Sequence, residues 1–487
     1  MNVHRNGFRN LPVRLNGLGE LAENMWWSWN PGARMLFKML DRPAWKESRY
    51  NPDKMLRELP PEILEKAAGN ADYLRQYDVV MSQLQNHLAK KGCPLLGDIQ
   101  IPADSVIAYF SAEYGLHRSL PFYAGGLGFL AGDHLKEGSD LNVPLVGVGF
   151  MYPEGYLHQL IREDGWQDNI TETLNREAAA INRVLNPDGS HLTVRVPLIE
   201  PAIHVPEAGF NMTSFALGLS KYRNAVSKRH GEVSCKMWQS LWPDEEDTID
   251  YITNGVHIST WVNPRMRRIF DKYMGPGWLE DHDNPVVWEL VEDIPDDELW
   301  KTHYWLKVKL IDAMREQYRR RWVNDRANPS IILAGGTLLD PSVLTLGFAR
   351  RFATYKRADL IFYDIERLKK ILNNHWRPIQ IIFAGKAHPA DDPGKRILQR
   401  VFNASRDPEM AGRIAFIEDY GEQLAQYLVH GVDVWLNTPL PPMEAGGTSG
   451  MKAAVNGVPH LSISDGWWIE GYNGKKRLGN WSTSRGC

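Results

Sequence analysis

Apolar positions recur at helical spacing in residues 1 to about 92. Leu15, Leu18, Leu21 and Ala22 lead into Asn24-Met25-Trp26-Trp27-Ser28-Trp29-Asn30-Pro31, and a second periodic stretch runs from Ile63 to Leu88 without a proline. This spacing predicts a helical cap packed on a larger domain. Near Val106 the pattern changes to Val106-Ile107-Ala108-Tyr109-Phe110, a short apolar run that predicts a buried strand. A glycine-rich turn and a helical stretch follow, and Pro144-Leu145-Val146-Gly147-Val148-Gly149-Phe150 predicts the next strand. Strand, helix, strand implies a parallel α/β unit. The second half repeats the alternation. Trp300 to Trp322 predicts a long charged amphipathic helix, with strands at Val343 to Phe348, Ile379 to Ala384, Ile414 to Ile417, Val432 to Leu436 and His460 to Ile463. Helices are expected to begin near Asp359, Pro393, Glu422 and Ser449, the first placing Ile361, Ile365, Leu368 and Leu372 on one face. The expected fold class is α/β, a doubly wound sheet with a core on both faces.

Composition narrows the class. At 487 residues the chain has room for ~3 domains. Apolar residues at 43% and charged residues at 24% exclude a disordered chain. The 56 basic residues nearly cancel the 59 acidic ones, so charge argues for neither nucleic acid nor a membrane surface as partner. Residues 1–18 lack the apolar core of a signal peptide, and no run reaches the ~20 apolar residues of a membrane helix. Cys93, Cys235 and Cys487 are scattered without ligand spacing, which implies neither a disulfide framework nor a metal site. A cytoplasmic enzyme is the expectation. Its 18 Trp and 18 Tyr suit either sugar stacking or core filling.

Four segments carry candidate chemistry. Tyr123-Ala124-Gly125-Gly126-Leu127-Gly128-Phe129-Leu130-Ala131-Gly132-Asp133 leaves backbone amides bare where a helix should start, which suits an anion, although a lone loop of this kind is more often a tight turn. Arg350-Arg351-Phe352-Ala353-Thr354-Tyr355-Lys356-Arg357 follows a predicted strand, where ligands approach open α/β sheets, and its four cations suit phosphate. Glu444-Ala445-Gly446-Gly447-Thr448-Ser449-Gly450-Met451-Lys452 sets a lysine in an apolar stretch. Such a lysine either forms a Schiff base or snorkels to the surface. Thr253-Asn254-Gly255-Val256-His257-Ile258-Ser259-Thr260-Trp261 offers sugar donors and a stacking ring, or a turn over a buried indole.

Taken together, residues 125–159, 253–261, 348–357 and 444–457 resemble, in order, the α-glucan (glycogen, starch and maltodextrin) phosphorylase family. The segment 24–31 is similar to the helical cap of that family's bacterial and archaeal branch. The resemblance implies two Rossmann-like doubly wound domains facing a cleft (GT-B type) with an N-terminal helical cap. It implies a cap at 1–95, a first α/β domain at 96–265 and a cofactor-binding domain at 266–487. Lys452 would hold pyridoxal 5′-phosphate as an internal Schiff base. Gly125 and Gly126 would lie at the phosphate region, and Arg351 and Lys356 would bind the substrate and cofactor phosphates. Thr448, with Ser449 and Gly450, would add donors to the cofactor, beside Trp261 and Tyr355. Asn254, Glu444 and Gly447 would line the glucosyl subsite, with Arg351 at the substrate phosphate. The partners implied are an α-1,4-glucan and inorganic phosphate, with a homo-oligomer possible. Gly446 stands where the family pattern carries serine.

Two departures accompany the resemblance. The sequence passes from His191–Val205 through Pro206-Glu207-Ala208 to Gly209-Phe210, where the family carries a long intervening segment. That segment includes a Thr-His-Thr-Pro motif, which occurs nowhere in this sequence. The resemblance also leads one to expect C-terminal helices after Gly474, where a short basic tail stands instead. Three functions therefore follow as alternatives: a phosphorylase, a glucan-binding remnant without catalysis, or a nucleotide-sugar glycosyltransferase on the same architecture. Loss of part of the first domain implies exposed apolar surface.

Overall fold

The structure is a computed structural model that describes residues 8, 11–90, 92–93, 105–122, 125–152, 156–174, 179–181, 184–190, 192, 211–243, 249–325, 334–410 and 412–472. The stretch 191–205 (Leu192 apart), the sequence junction at 206–210, Tyr123, Ala124 and the tail 473–487 lie outside the described residues. Two units are formed: Met1–His158 with Thr171–Pro197, and Gln159–Ile170 with Leu198–Cys487.

The first unit opens with helices Gly17–Glu23, Pro31–Leu40, Arg42–Glu47, Pro52–Glu58, Pro61–Ala68 and Ala71–Leu88. Their starts follow from local chemistry. Asn30, Asp41 and Asn51 each accept a backbone N–H in the first turn, with a proline just inside the helix. The predicted run 63–88 divides because Asn70 accepts from the amides of Asp72 and Tyr73, starting a new helix after Gly69. Leu15, Leu18, Leu36, Phe37, Leu64, Val80 and Leu84 bury the apolar stripes in one core, with Trp27 edge-on to Phe37 and Trp45.

Strand β1 (Ile107–Phe110) pairs in parallel with β2 (Leu145–Val148), Ile107 opposite Leu145, and helix Gly126–Asp140 connects them. This is the predicted unit, but not its predicted burial: Phe110 is 73% exposed and Phe150 70%. The physical reason is the sheet's size. Among the described residues β1 and β2 form a sheet of two strands, too small to be covered on both faces as parallel strands usually are. Within the glycine-rich segment, packing demands Gly132, where a Cβ would come 2.2 Å from the Gly115 carbonyl oxygen. At Gly125 and Gly126 a Cβ would meet nothing within 4 Å.

In the second unit, strands β3 (Tyr156–Ile161) and β4 (Gln167–Glu172) pair, with residues 159–170 belonging to this unit. Two buried glutamines hold that segment: Gln159 donates to Gln167 and to the Gly385 carbonyl, and Gln167 bonds both backbone groups of Ala387. Strands β5 (Asn224–Ala225) and β6 (Asp250–Tyr251) form a short parallel pair. Helix Asp296–Asp325 then precedes β7 (Leu344–Ala349), β8 (Ile379–Ala384), β9 (Ile414–Ile417), β10 (Val434–Asn437) and β11 (His460–Ser462). These five are parallel in the order β11-β10-β7-β8-β9, the order of a doubly wound sheet. Phe348, Ile381, Phe383, Ile414 and Phe416 fill its core. The order reverses between β7 and β10, so the loops leaving those two strands flank the position where such sheets take ligands. The helix expected from Asp359 differs. A 3-10 turn at Leu360–Phe362 ends before Asp364, which caps Ile365–Leu372; Leu368 and Leu372 are buried and Ile365 is exposed.

Candidate active site

The site is built where β7 and β10 end. Residues alternate along β7, and Arg350, two beyond the buried Phe348, turns inward while Arg351 faces solvent. The Arg350 amide donates to the Ala384 carbonyl, extending the pairing with β8. The chain then makes a 3-10 turn at Thr354–Lys356. Arg357 holds it closed by donating to the carbonyls of Thr438 and Pro439 beyond β10. Thr438 in turn donates from Oγ1 to the Lys356 carbonyl at 3.1 Å. The two loops are thus stitched together.

Inside that seam the Lys356 ammonium is paired with Glu444 Oε2, and Arg350 Nη2 lies 3.0 Å from the same oxygen. All three side chains are buried. Burial, and then the Arg350 charge, pull the Lys356 amine down to about 7, against the opposing pull of Glu444. Burial pushes the Glu444 carboxyl up, but Arg350 and Lys356 together hold it below its ordinary range. Arg350 Nη1 is buried and has no hydrogen-bond partner among the described residues. Lys356 Nζ also lies 4.6 Å from the centre of the Tyr355 ring.

The loop after β10 is shaped by its backbone. Glu444 donates its amide to Asp465, and Gly447 at φ +89° takes a left-handed conformation beside the Glu444 side chain. Trp467 bonds the carbonyls of Gly446 (3.1 Å) and Gly447 (3.0 Å). Asn254 reaches the same loop, its Nδ2 being 3.4 Å from a Cβ built on Gly446. The Thr448 carbonyl accepts from the amides of Met451 and Lys452, opening helix Ser449–Ala454. Ser449 Oγ accepts from Trp435 Nε1, toward the sheet. Lys452 is buried on that helix with Nζ 3.9 Å from the centre of the Trp261 ring. Asn456 ties the pair together, donating to the carbonyls of Trp261 and Lys452.

A carbohydrate phosphorylase family profile matches residues 174–474, more than half of the sequence. The chain belongs to the carbohydrate phosphorylase family. A second profile, described only as a protein of unknown function, matches residues 11–120. The chain is 40% identical to the glycogen phosphorylase of Aquifex aeolicus, covering 94% of this chain and 87% of that protein. It is 34% identical to the maltodextrin phosphorylase of Thermococcus litoralis and 30% identical to the glycogen phosphorylase of Mycobacterium tuberculosis. Each of those two alignments covers 96% of this chain and 73% of the relative. The first alignment has 608 positions against 487 residues here, so at least 121 positions carry a residue of the relative alone.

Within this carbohydrate phosphorylase, Lys356, Glu444 and Arg350 meet directly, and Lys452 meets Trp261. Gly125 and Gly126 belong to the other unit, where Gly125 donates to Glu113 and Gly126 opens helix Gly126–Asp140. Three residues at the site escape sequence reasoning: Asn456, His460 and Asp465. Arg350, one of the four cations read as suiting phosphate, is set apart from Arg351 by the alternation with Phe348 along β7. Among the described residues no group of three His, Cys, Asp or Glu is arranged to hold a metal ion. No helix among them is long and apolar enough to cross a membrane.

Proposed function

We propose that the protein is an α-1,4-glucan phosphorylase, transferring the terminal glucosyl group of glycogen, starch or maltodextrin to inorganic phosphate with retention of configuration. One observation carries this reading: a lysine buried against an indole, on the helix that follows a loop opened by a carboxylate clamped by two cations, at the reversal point of the parallel sheet. The two-domain GT-B arrangement, the boundaries 1–95, 96–265 and 266–487, the cytoplasmic location and homo-oligomers belong to the same reading. The closed hydrophobic core of residues 15–84 supports a separate cap.

The residues fit pyridoxal 5′-phosphate. A buried primary amine suits its aldehyde, and the buried Arg350 Nη1, which lacks an acceptor among the described residues, suits an oxyanion. Lys452 would hold the group, with Trp261 and Tyr355 beside it and Lys356, Thr448, Ser449 and Gly450 as further contacts. When bound it supplies a phosphate whose second ionisation, at about 6, suits proton exchange near neutrality. Arg351 and Lys356 bring positive charge to the substrate phosphate, offsetting the repulsion between two like-charged groups. Asn254, Glu444 and Gly447 orient the glucosyl ring. A phosphate oxygen then bonds to the anomeric carbon on the face that the glycosidic oxygen leaves, which keeps the configuration, and the departing sugar oxygen takes the proton that the inorganic phosphate gives up. This chemistry requires no pair of catalytic carboxylates, unlike hydrolysis by a glycosidase.

A second reading, a glucan-binding remnant without turnover, draws on the missing Thr-His-Thr-Pro motif and the 121 or more aligned positions without a counterpart here. Release of glucose 1-phosphate from maltodextrin and phosphate decides between the two. We expect release by the wild type and none by Lys452→Ala, which should also lose cofactor absorbance. Folded wild-type protein that retains the cofactor but releases no sugar phosphate selects the remnant.

A further inference from the structure

Glu444 is assigned above to the sugar and Lys356 to phosphate, yet the two are bonded to each other. A single carboxylate oxygen, Oε2, serves both Lys356 and Arg350. We propose that Glu444 stands in for the ligand anion, so that an oxyanion entering at Arg350 and Lys356 releases its carboxylate to the glucosyl hydroxyls. The inference rests on the phosphorylase reading of these two subsites.

The charges support the exchange. Two cations and one carboxylate leave a net positive charge among buried side chains, a costly arrangement unless a further anion joins. Arg350 Nη1 is the donor left over, buried and without an acceptor among the described residues. A tetrahedral dianion has enough oxygens to accept from Nη1, Nη2 and Nζ together, whereas Oε2 alone accepts from two of the three.

The backbone suits a side chain that moves while its anchor stays. The Glu444 amide is fixed to Asp465 Oδ2 at 2.9 Å. Gly447 keeps the neighbouring volume open, since a Cβ there would lie 3.3 Å from Glu444 Cδ and Oε1. Once the cations turn to an entering anion, the lone pairs of Oε2 can accept from sugar hydroxyls. Oxyanion and glucan should therefore bind with positive coupling, and reciprocally.

Calorimetric titration with inorganic phosphate, without glucan, tests this on wild type and Glu444→Gln. The variant has lost the competing charge but keeps a similar shape, and should bind phosphate about tenfold more tightly. Equal or weaker binding by the variant, or no phosphate binding by either protein, overturns the proposal. Repeating the titration on protein loaded with and stripped of pyridoxal 5′-phosphate identifies the oxyanion. Tightening in the loaded protein assigns inorganic phosphate, and tightening only in stripped protein assigns the cofactor's phosphate. A second measurement needs no variant. Maltoheptaose should tighten sulfate binding to the wild type several-fold, sulfate replacing phosphate so that no turnover occurs, and absence of coupling counts against the exchange. Glucose 1-phosphate release is scored separately, so an inactive protein with tighter anion binding in Glu444→Gln would sink the phosphorylase reading alone.

Discussion

The imidazole of His460 occupies the space that a side chain on Gly450 would need: a Cβ built on Gly450 would lie 2.4 Å from Cε1 and 2.5 Å from Nδ1. The ring is held from the other sides. It stacks on Trp467 at an interplanar angle of 7° and meets the edge of Trp468 at 4.7 Å between centroids. Because Gly450 lies in the first turn of the helix that carries Lys452, His460 sets where that helix begins.

Gly450→Ala should therefore act against helix propensity. In an unobstructed helix the change gains about 1 kcal/mol, but overpacking of this kind costs about 1–3 kcal/mol. We expect net destabilisation in denaturant titration and weaker cofactor absorbance. In the His460→Ala background the same substitution should cost much less. Additive effects in that double-mutant cycle would refute the contact.

His460 also predicts a pH dependence. Burial, aided by the Arg350 charge, pulls its pKa down to about 3, and neither ring nitrogen has a partner among the described residues. Between about 3 and about 6.5 the unfolded chain takes up a proton there that the folded chain refuses. Stability should thus fall as pH drops below 6.5, by on the order of 1.4 kcal/mol per pH unit from this group. His460→Asn should remove that part of the slope between pH 6.5 and 5. An unchanged slope in the variant would exclude His460 as its source.

Much of this architecture was legible because it rests on local pattern. The strands at Ile379–Ala384 and Ile414–Ile417 have their predicted bounds, each being a continuous apolar run between turns. Lys452 was legible as a lysine among apolar neighbours. Burial of Val106–Phe110 was not, because it depends on strands that neighbours must supply and not on the run itself. Ile365 was placed on a buried face because its period ignores Asp364, whose side chain restarts the helix. Asp465 and His460 were invisible for a different reason. Each acts through a contact made by a separate stretch of backbone, and neither carries a spacing signal.

Lys356 makes anion affinity depend on pH. Its amine, drawn down to about 7, loses its charge as pH rises through that value. Sulfate stays a dianion across the range, so its binding isolates the protein's titration from the ligand's. We expect sulfate affinity to fall between pH 6 and 8.5, and Lys356→Arg, which stays charged, to flatten the profile. A wild-type profile already flat would exclude Lys356 as the titrating contact.

Asp433 predicts how helix Asp296–Asp325 is fixed to the sheet. Its carboxylate accepts from His303 at 2.8 Å, from Lys307 at 2.6 Å and from the Thr345 amide of β7 at 2.7 Å. His303 and Lys307 stand one helical turn apart, so a single carboxylate engages two side chains of the helix and the backbone of the central strand. Burial pushes the Asp433 carboxyl up, but His303 and Lys307 hold it below its ordinary range. Lys307 is 2% exposed, and Asp433→Asn would leave its cation buried beside a neutral amide. Such a loss costs about 3–5 kcal/mol, whereas replacing both charges with neutral groups of similar volume is often nearly neutral. Asp433→Asn should therefore lower the denaturation midpoint sharply, and Lys307→Met in the same chain should restore most of it. If the double variant were as unstable as Asp433→Asn alone, the uncompensated Lys307 charge would not be the source of the loss.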